Sequence, residues 1–171
     1  MSLARARRSA LLLPLAFVLA ASSPALAADG AVASEFQAQL VAKSSGQVGT
    51  FYAYGTGPLW IDADGTLDPA ADELVTLVRT AADDGLDPAA LHAQQLGQAV
   101  AMAEQQPTPQ SLADAEVLLS RTFADYVAAL RKNSGRAMTY EASTLSPRDT
   151  GAYFDLTEAA KAPSLATYIK S

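Results

Sequence analysis

Cysteine is absent from the 171-residue chain, and histidine and tryptophan occur once each, as His92 and Trp60. Without cysteine there is no disulfide framework, no thiolate nucleophile and no cysteine-ligated metal. Basic residues are also scarce, 12 Lys and Arg against 18 Asp and Glu, for a formal net charge of −6. A balance of that sign suits neither the phosphates of nucleic acid nor an anionic membrane surface, so solubility is the reading it supports. Long apolar runs are missing too. The longest, Ala10 to Ala20, falls short of the roughly 20 apolar residues that span a bilayer.

What is present starts with a tripartite N-terminus. Arg5, Arg7 and Arg8 precede that apolar run, and Ala25-Leu26-Ala27 follows with small residues at alternate positions. This pattern reads as an export signal over residues 1–27, removed between Ala27 and Ala28, and it predicts a periplasmic location. A membrane anchor is the weaker reading because the run is short. Arg7-Arg8 hints at twin-arginine export, but its flanking residues do not support that route, and a lipobox would need a cysteine. Cleavage would take three arginines and no acid, leaving nine basic residues against 18 acidic ones, about −9, in a single domain over residues 28–171.

The remaining chain reads as helices. Residues 28–30 are expected to be disordered, and Ser34 caps a helix to Lys43 with Phe36, Leu40 and Val41 on one face. A second short helix, 47–54, carries Phe51 and Tyr54. Asp68-Pro69 and Asp87-Pro88 are helix starts of one design, an aspartate cap followed by proline where no hydrogen bond is lost. The first opens a helix over 69–83 with Leu74, Leu77, Val78 and Ala81 inside, stopped by Gly85 in a left-handed conformation. The second opens a helix over 88–105 with Leu91, Leu96, Ala99, Val100 and Ala103 inside. Pro107-Thr108-Pro109 breaks the chain before the longest helix, 110–132. Leu112, Leu119, Phe123, Tyr126 and Leu130 form its core stripe, with Asp114, Arg121, Asp125 and Arg131 on its wet side. Residues 136–150 read as an irregular segment lying extended across the bundle surface. Two short helices follow, 152–160 and 164–170. No stretch alternates well enough for a strand and no repeat is visible, so the expected fold is all-α, an irregular bundle of five to seven helices.

Candidate chemistry is thin. His92 is placed one turn into a helix with no nucleophile motif beside it, which favours a surface residue over a general base. Asp62, Asp64 and Asp68 resemble part of a calcium loop. With Gly65 at the sixth position, however, the first and twelfth fall on Trp60 and Ala71, so two anchoring ligands are missing and a capped turn is the better reading. Asp83, Asp84, Asp114, Glu116 and Asp125 offer many carboxylate pairs of the kind that hydrolyse glycans, but none is singled out, and a solvated face explains them. The aromatics Phe51, Tyr52, Tyr54, Trp60, Phe123 and Tyr126 suit a core better than a ligand platform. No catalytic residue, metal ligand or cofactor site is expected.

One ordered set of motifs goes further. Phe51-Tyr52, Pro58-Leu59-Trp60, Asp64-Gly65-Thr66-Leu67-Asp68-Pro69, Leu74-Val75-Thr76-Leu77 and Gly85-Leu86-Asp87-Pro88 resemble the helical scaffold domain of large periplasmic L,D-transpeptidases. The likeness continues through Leu112-Ala113-Asp114-Ala115 and Phe123-Ala124-Asp125-Tyr126 to Leu130-Arg131, and spans about residues 35 to 170. Enzymes of that family cross-link or decorate peptidoglycan through a catalytic domain with a histidine and a Ser-His-Gly-Cys segment. No position here matches those residues, so the resemblance implies a scaffold without its enzyme. Three readings stay open at this point. The first is an exported interaction module acting on a separate transpeptidase, another wall enzyme or peptidoglycan. The second is a truncated or degenerate relic, and the third is a small periplasmic hydrolase. For the first, Met138, Tyr140, Leu145, Leu165, Tyr168 and Ile169 are the expected partner-binding residues, because they adjoin the family's continuation.

Overall fold

The computed structural model describes the backbone of residues 24–54, 57–134, 138–140, 143–145 and 150–170, and the side chains of residues 32–54, 57–132 and 150–170. The expected signal segment therefore lies, over residues 1–23, outside the described residues. Helix α1 runs from Pro24 to Lys43, earlier than the start expected at Ser34. Proline is tolerated in a first helical turn, and the alanine-rich stretch behind it is a strong helix former. Residues 28–30, expected to be disordered, are thus helical, and the expected cleavage position falls inside α1. Leu40 is fully buried and Phe36 half-buried, whereas Val41, expected on the same face, is exposed.

Helix α2, Gly46–Tyr54, buries Val48, Phe51 and Tyr52. Tyr54, read as part of the aromatic core, is 83% exposed. The chain then turns through Pro58-Leu59-Trp60 into a tight reversal, closed by Asp62 N–H donating to the Thr66 carbonyl at 2.8 Å and by an isolated bridge between Ile61 and Leu67. Asp68 caps the next helix as expected: its carboxylate accepts from the Ala70 N–H at 2.7 Å. Helix α3, Ala70–Arg79, and a 3₁₀ turn, Ala81–Asp84, follow, and Gly85 ends them at φ 74°.

The second start opens less than expected. Asp87 accepts from the Ala89 N–H at 2.9 Å, but the turn closes at His92, whose φ of 56° is left-handed. Helix α4 therefore begins at Ala93 and ends at Gln105. Helix α5, Pro109–Ser134, is the longest. Thr108 holds its start, with Oγ1 accepting from the Ser111 N–H at 3.1 Å. Helices α6, Gly151–Lys161, and α7, Leu165–Ile169, complete an all-α fold, with seven helices among the described residues.

The sequence reading missed one element. Met138–Tyr140 (β1) and Ser143–Leu145 (β2) form a short antiparallel ribbon, with Met138 opposite Leu145 and Tyr140 opposite Ser143. Three-residue strands are too short for alternation to reveal them. The ribbon joins α5 to α6 and leaves the helical class unchanged.

Helix α5 is the axis of the bundle, packed against α1, α2, α3, α4 and α6. Helix α7 lies on α3 and reaches α5 through the Tyr168 ring, 6.4 Å from that of Phe123. Trp60 is fully buried, as a sole tryptophan in the central motif should be. Its indole meets Phe123 edge to face at 5.9 Å.

Candidate functional site

The chemically richest place in the molecule is buried. Glu116, on α5, has no exposed surface. Its Oε1 accepts from the Leu59 N–H at 2.5 Å and from the Tyr52 hydroxyl at 2.7 Å, and its Oε2 accepts from the Trp60 N–H at 3.0 Å. Ser120, one turn along, accepts from the Trp60 indole N–H at 2.8 Å and lies 2.5 Å from the Tyr52 hydroxyl. One ordering of protons satisfies every group: indole to Ser120, Ser120 to Tyr52, Tyr52 to Glu116. The chain of donors ends on the only member that donates nothing when ionised.

Burial pushes the Glu116 carboxyl up to about 7, against the pull of Leu59, Tyr52 and Trp60. Burial, reinforced by Glu116, likewise holds the Tyr52 hydroxyl far above its ordinary range. A shifted carboxylate is often the mark of a catalytic acid. Here its lone pairs are taken up by the chain itself and no solvent reaches it, so the arrangement pins the 57–60 segment and α2 to α5. The sequence reading placed Glu116 on a solvated face, and its burial corrects that.

A second pin joins α5 to α6. Asp155 is buried and accepts two guanidinium N–H bonds from Arg131, at 2.8 and 2.7 Å, and a third from the Thr150 hydroxyl at 2.9 Å. Arg131, expected on the wet side, is half-buried in this pair. Tyr126 donates to Asp84 at 2.8 Å, tying α5 to the end of the 3₁₀ turn, and its hydroxyl is pushed up to about 12 by burial and by that carboxylate. Arg121 reaches the Lys43 carbonyl at 3.1 Å and the Ser45 hydroxyl at 3.0 Å, closing the end of α1. Among the described buried side-chain oxygens and nitrogens, Thr122 Oγ1 alone lacks a partner.

The other sequence candidates scatter. His92 is exposed at the start of α4. It and Arg121 attract Asp125, whose carboxyl partial burial nevertheless raises. Asp64 accepts from both the N–H and the hydroxyl of Thr66, at 3.1 and 2.7 Å, as a turn residue does. No group of three or more metal-ligating residues occurs among the described residues, and none of the helices found there is long and apolar enough to cross a membrane. Of the expected partner-binding residues, Leu165 is buried, Ile169 packs half-buried against the core, and Tyr168 is 37% exposed. Met138, Tyr140 and Leu145 lie in the ribbon, and their side chains are outside the described residues.

The buried and half-buried polar side chains thus fasten α2, the 57–60 segment, the 3₁₀ turn and α6 to one axial helix, α5. The family model named Scaffold domain matches residues 46–171, from the first residue of α2 onward, and the chain belongs to that family. The match agrees with the resemblance to the scaffold domain of L,D-transpeptidases. Neither the curated proteins nor the solved structures contain a significant match.

Proposed function

We propose that this protein is an exported, non-catalytic scaffold module that serves peptidoglycan biogenesis by binding a partner, a separate L,D-transpeptidase or another wall enzyme, in the periplasm. The observation that carries this reading is the family match over residues 46–171, which takes in every helix from α2 to α7. The polar chemistry of the interior supports it. Glu116, Tyr52, Ser120, Asp155 and Arg131 all spend their bonds within the fold, which leaves none of them to act on a substrate.

The surface offered to such a partner is the end of the molecule that carries Tyr168. The ribbon offers a second surface: a two-stranded sheet leaves one backbone edge of each strand without a sheet partner among the described residues, and an open edge can accept a further strand. The test is a pull-down by the tagged chain of a purified L,D-transpeptidase catalytic domain, beside sedimentation with purified sacculi and incubation with muropeptides. Tyr168→Ser serves as the comparison, since Ile169 and Leu165 also serve the core. Retention of the enzyme by the wild type, weakened in the variant, is the expected result. Turnover of muropeptides by the isolated chain, or indifference to both enzyme and sacculi, would overturn the reading.

A further inference from the structure

We infer that the groove between α1, the Asp62–Gly65 turn and the start of α5 is a binding site for an extended peptide segment that sets a cationic side chain beside an apolar one. The groove has a volume of about 650 Å³, within the roughly 300–1,000 Å³ of ligand sites. Phe36, Ile61 and Leu112 give it an apolar lining, and Pro58, Pro107 and Pro109 stiffen its borders. The bridge between Ile61 and Leu67 holds the turn that forms one side. A lining of this kind is formed before anything binds, so little ordering entropy opposes an occupant.

Charge selects the occupant. The lining contains two carboxylates, Asp62 and Asp64, and no Lys or Arg. The Thr66 bonds hold the Asp64 carboxyl below its ordinary value, so it carries its charge at neutral pH. Asp62 is exposed, and its carboxylate makes no hydrogen bond among the described residues; only its backbone is engaged, with Thr66 and Gly65. It therefore remains available to an incoming ammonium or guanidinium. The start of α5 opens nearby, and the positive end of its dipole would repel a cation. Thr108, however, already occupies the Ser111 and Leu112 N–H groups. A second copy of this acidic chain would meet like charge here, whereas a basic peptide would not. The inference is independent of the proposed role in the wall.

The test uses fluorescence anisotropy of a labelled tetrapeptide, lysine and leucine flanked by alanines, titrated with the full chain. Saturable binding is expected, weakened about fivefold in Asp62→Asn, as an exposed ion pair allows. Acetylating the peptide's lysine should weaken binding to the wild type by a similar factor, and that arm needs no variant to fold. Phe36→Ser, checked for an unchanged circular dichroism spectrum, should reduce binding further. Equal affinity for the acetylated peptide, or no saturable binding, would overturn the assignment. So would a wild-type dimer in sedimentation that Phe36→Ser dissolves, because the groove would then be a contact between copies.

Discussion

Glu116 is the residue on which the interior turns, and its environment has a measurable consequence. Below about pH 4.5 its carboxyl is neutral in both the folded and the unfolded chain, and above about 7 it is ionised in both. Between those values the folded state keeps a proton that the unfolded state has released. The stability it contributes is therefore fully present at the acid end and is lost as pH rises through about 7. A rise from 4.5 to about 7 corresponds to on the order of 3 kcal/mol. In Glu116→Gln this titration is gone. Urea unfolding from pH 4.5 to 7.5 should show the wild type losing stability relative to the variant by that order, whatever the variant's absolute level. Parallel curves for the two proteins would refute it. The signal for a buried Glu116 was in the sequence. The stripe Leu112, Leu119, Phe123, Tyr126, Leu130 skips one turn between its first two members, and position 116, four after Leu112 and three before Leu119, fills it. The general rule that glutamates stay in water outweighed that spacing, since unpaired acids are almost never buried. Pairing with Leu59, Trp60 and Tyr52 depends on chain reversals that residue periodicity does not record.

At the scale of elements, helices with a clear apolar period and a capping residue were legible, and the departures have local causes. Asp68 and Gly85 bound the α3 region as the sequence implies, because a cap and a left-handed stop act within one turn. Asp87 caps as well, but His92 at φ 56° ends that turn early, and nothing in a histidine announces a left-handed backbone. Arg131 reads as a surface charge from the sequence because its partnership with Asp155 spans the ribbon. That pair yields the prediction for this scale. Arg131→Met removes both guanidinium bonds and leaves Asp155 buried with Thr150 alone. Losing one partner of a fully buried pair costs about 3–5 kcal/mol; with the Arg131 side chain 35% exposed, about 2 kcal/mol is the better expectation. The loss should be local. Hydrogen exchange should show α6 amides losing protection while those of α3 and α4 keep theirs. Uniform loss across all helices, or none, would show that the pair does not fasten α6.

For the whole molecule the question is whether the helices α1 to α7 behave as one body. Each of the other six touches α5, α7 through Tyr168 on Phe123. The core is a single cluster running from Leu40 to Leu165. The all-α class and the family could be read from the sequence because both rest on local motifs. The role of α5 as a common axis could not, since periodicity gives the faces of helices but not which face meets which. A common axis has a thermodynamic consequence. No helix can leave without exposing part of α5, so partly unfolded forms gain chain entropy while losing apolar burial on two elements at once. Such forms should stay unpopulated, as in small two-state domains. Trp60 makes this testable, because the chain's one tryptophan sits on α5 against Phe123 and Ser120. Its fluorescence reports the axis, whereas far-ultraviolet circular dichroism reports the helices together. In urea the two signals should trace one coincident transition. A helical signal that decays while tryptophan emission remains native would mean that some helices melt away from an intact axis, and the single-body account would then fail.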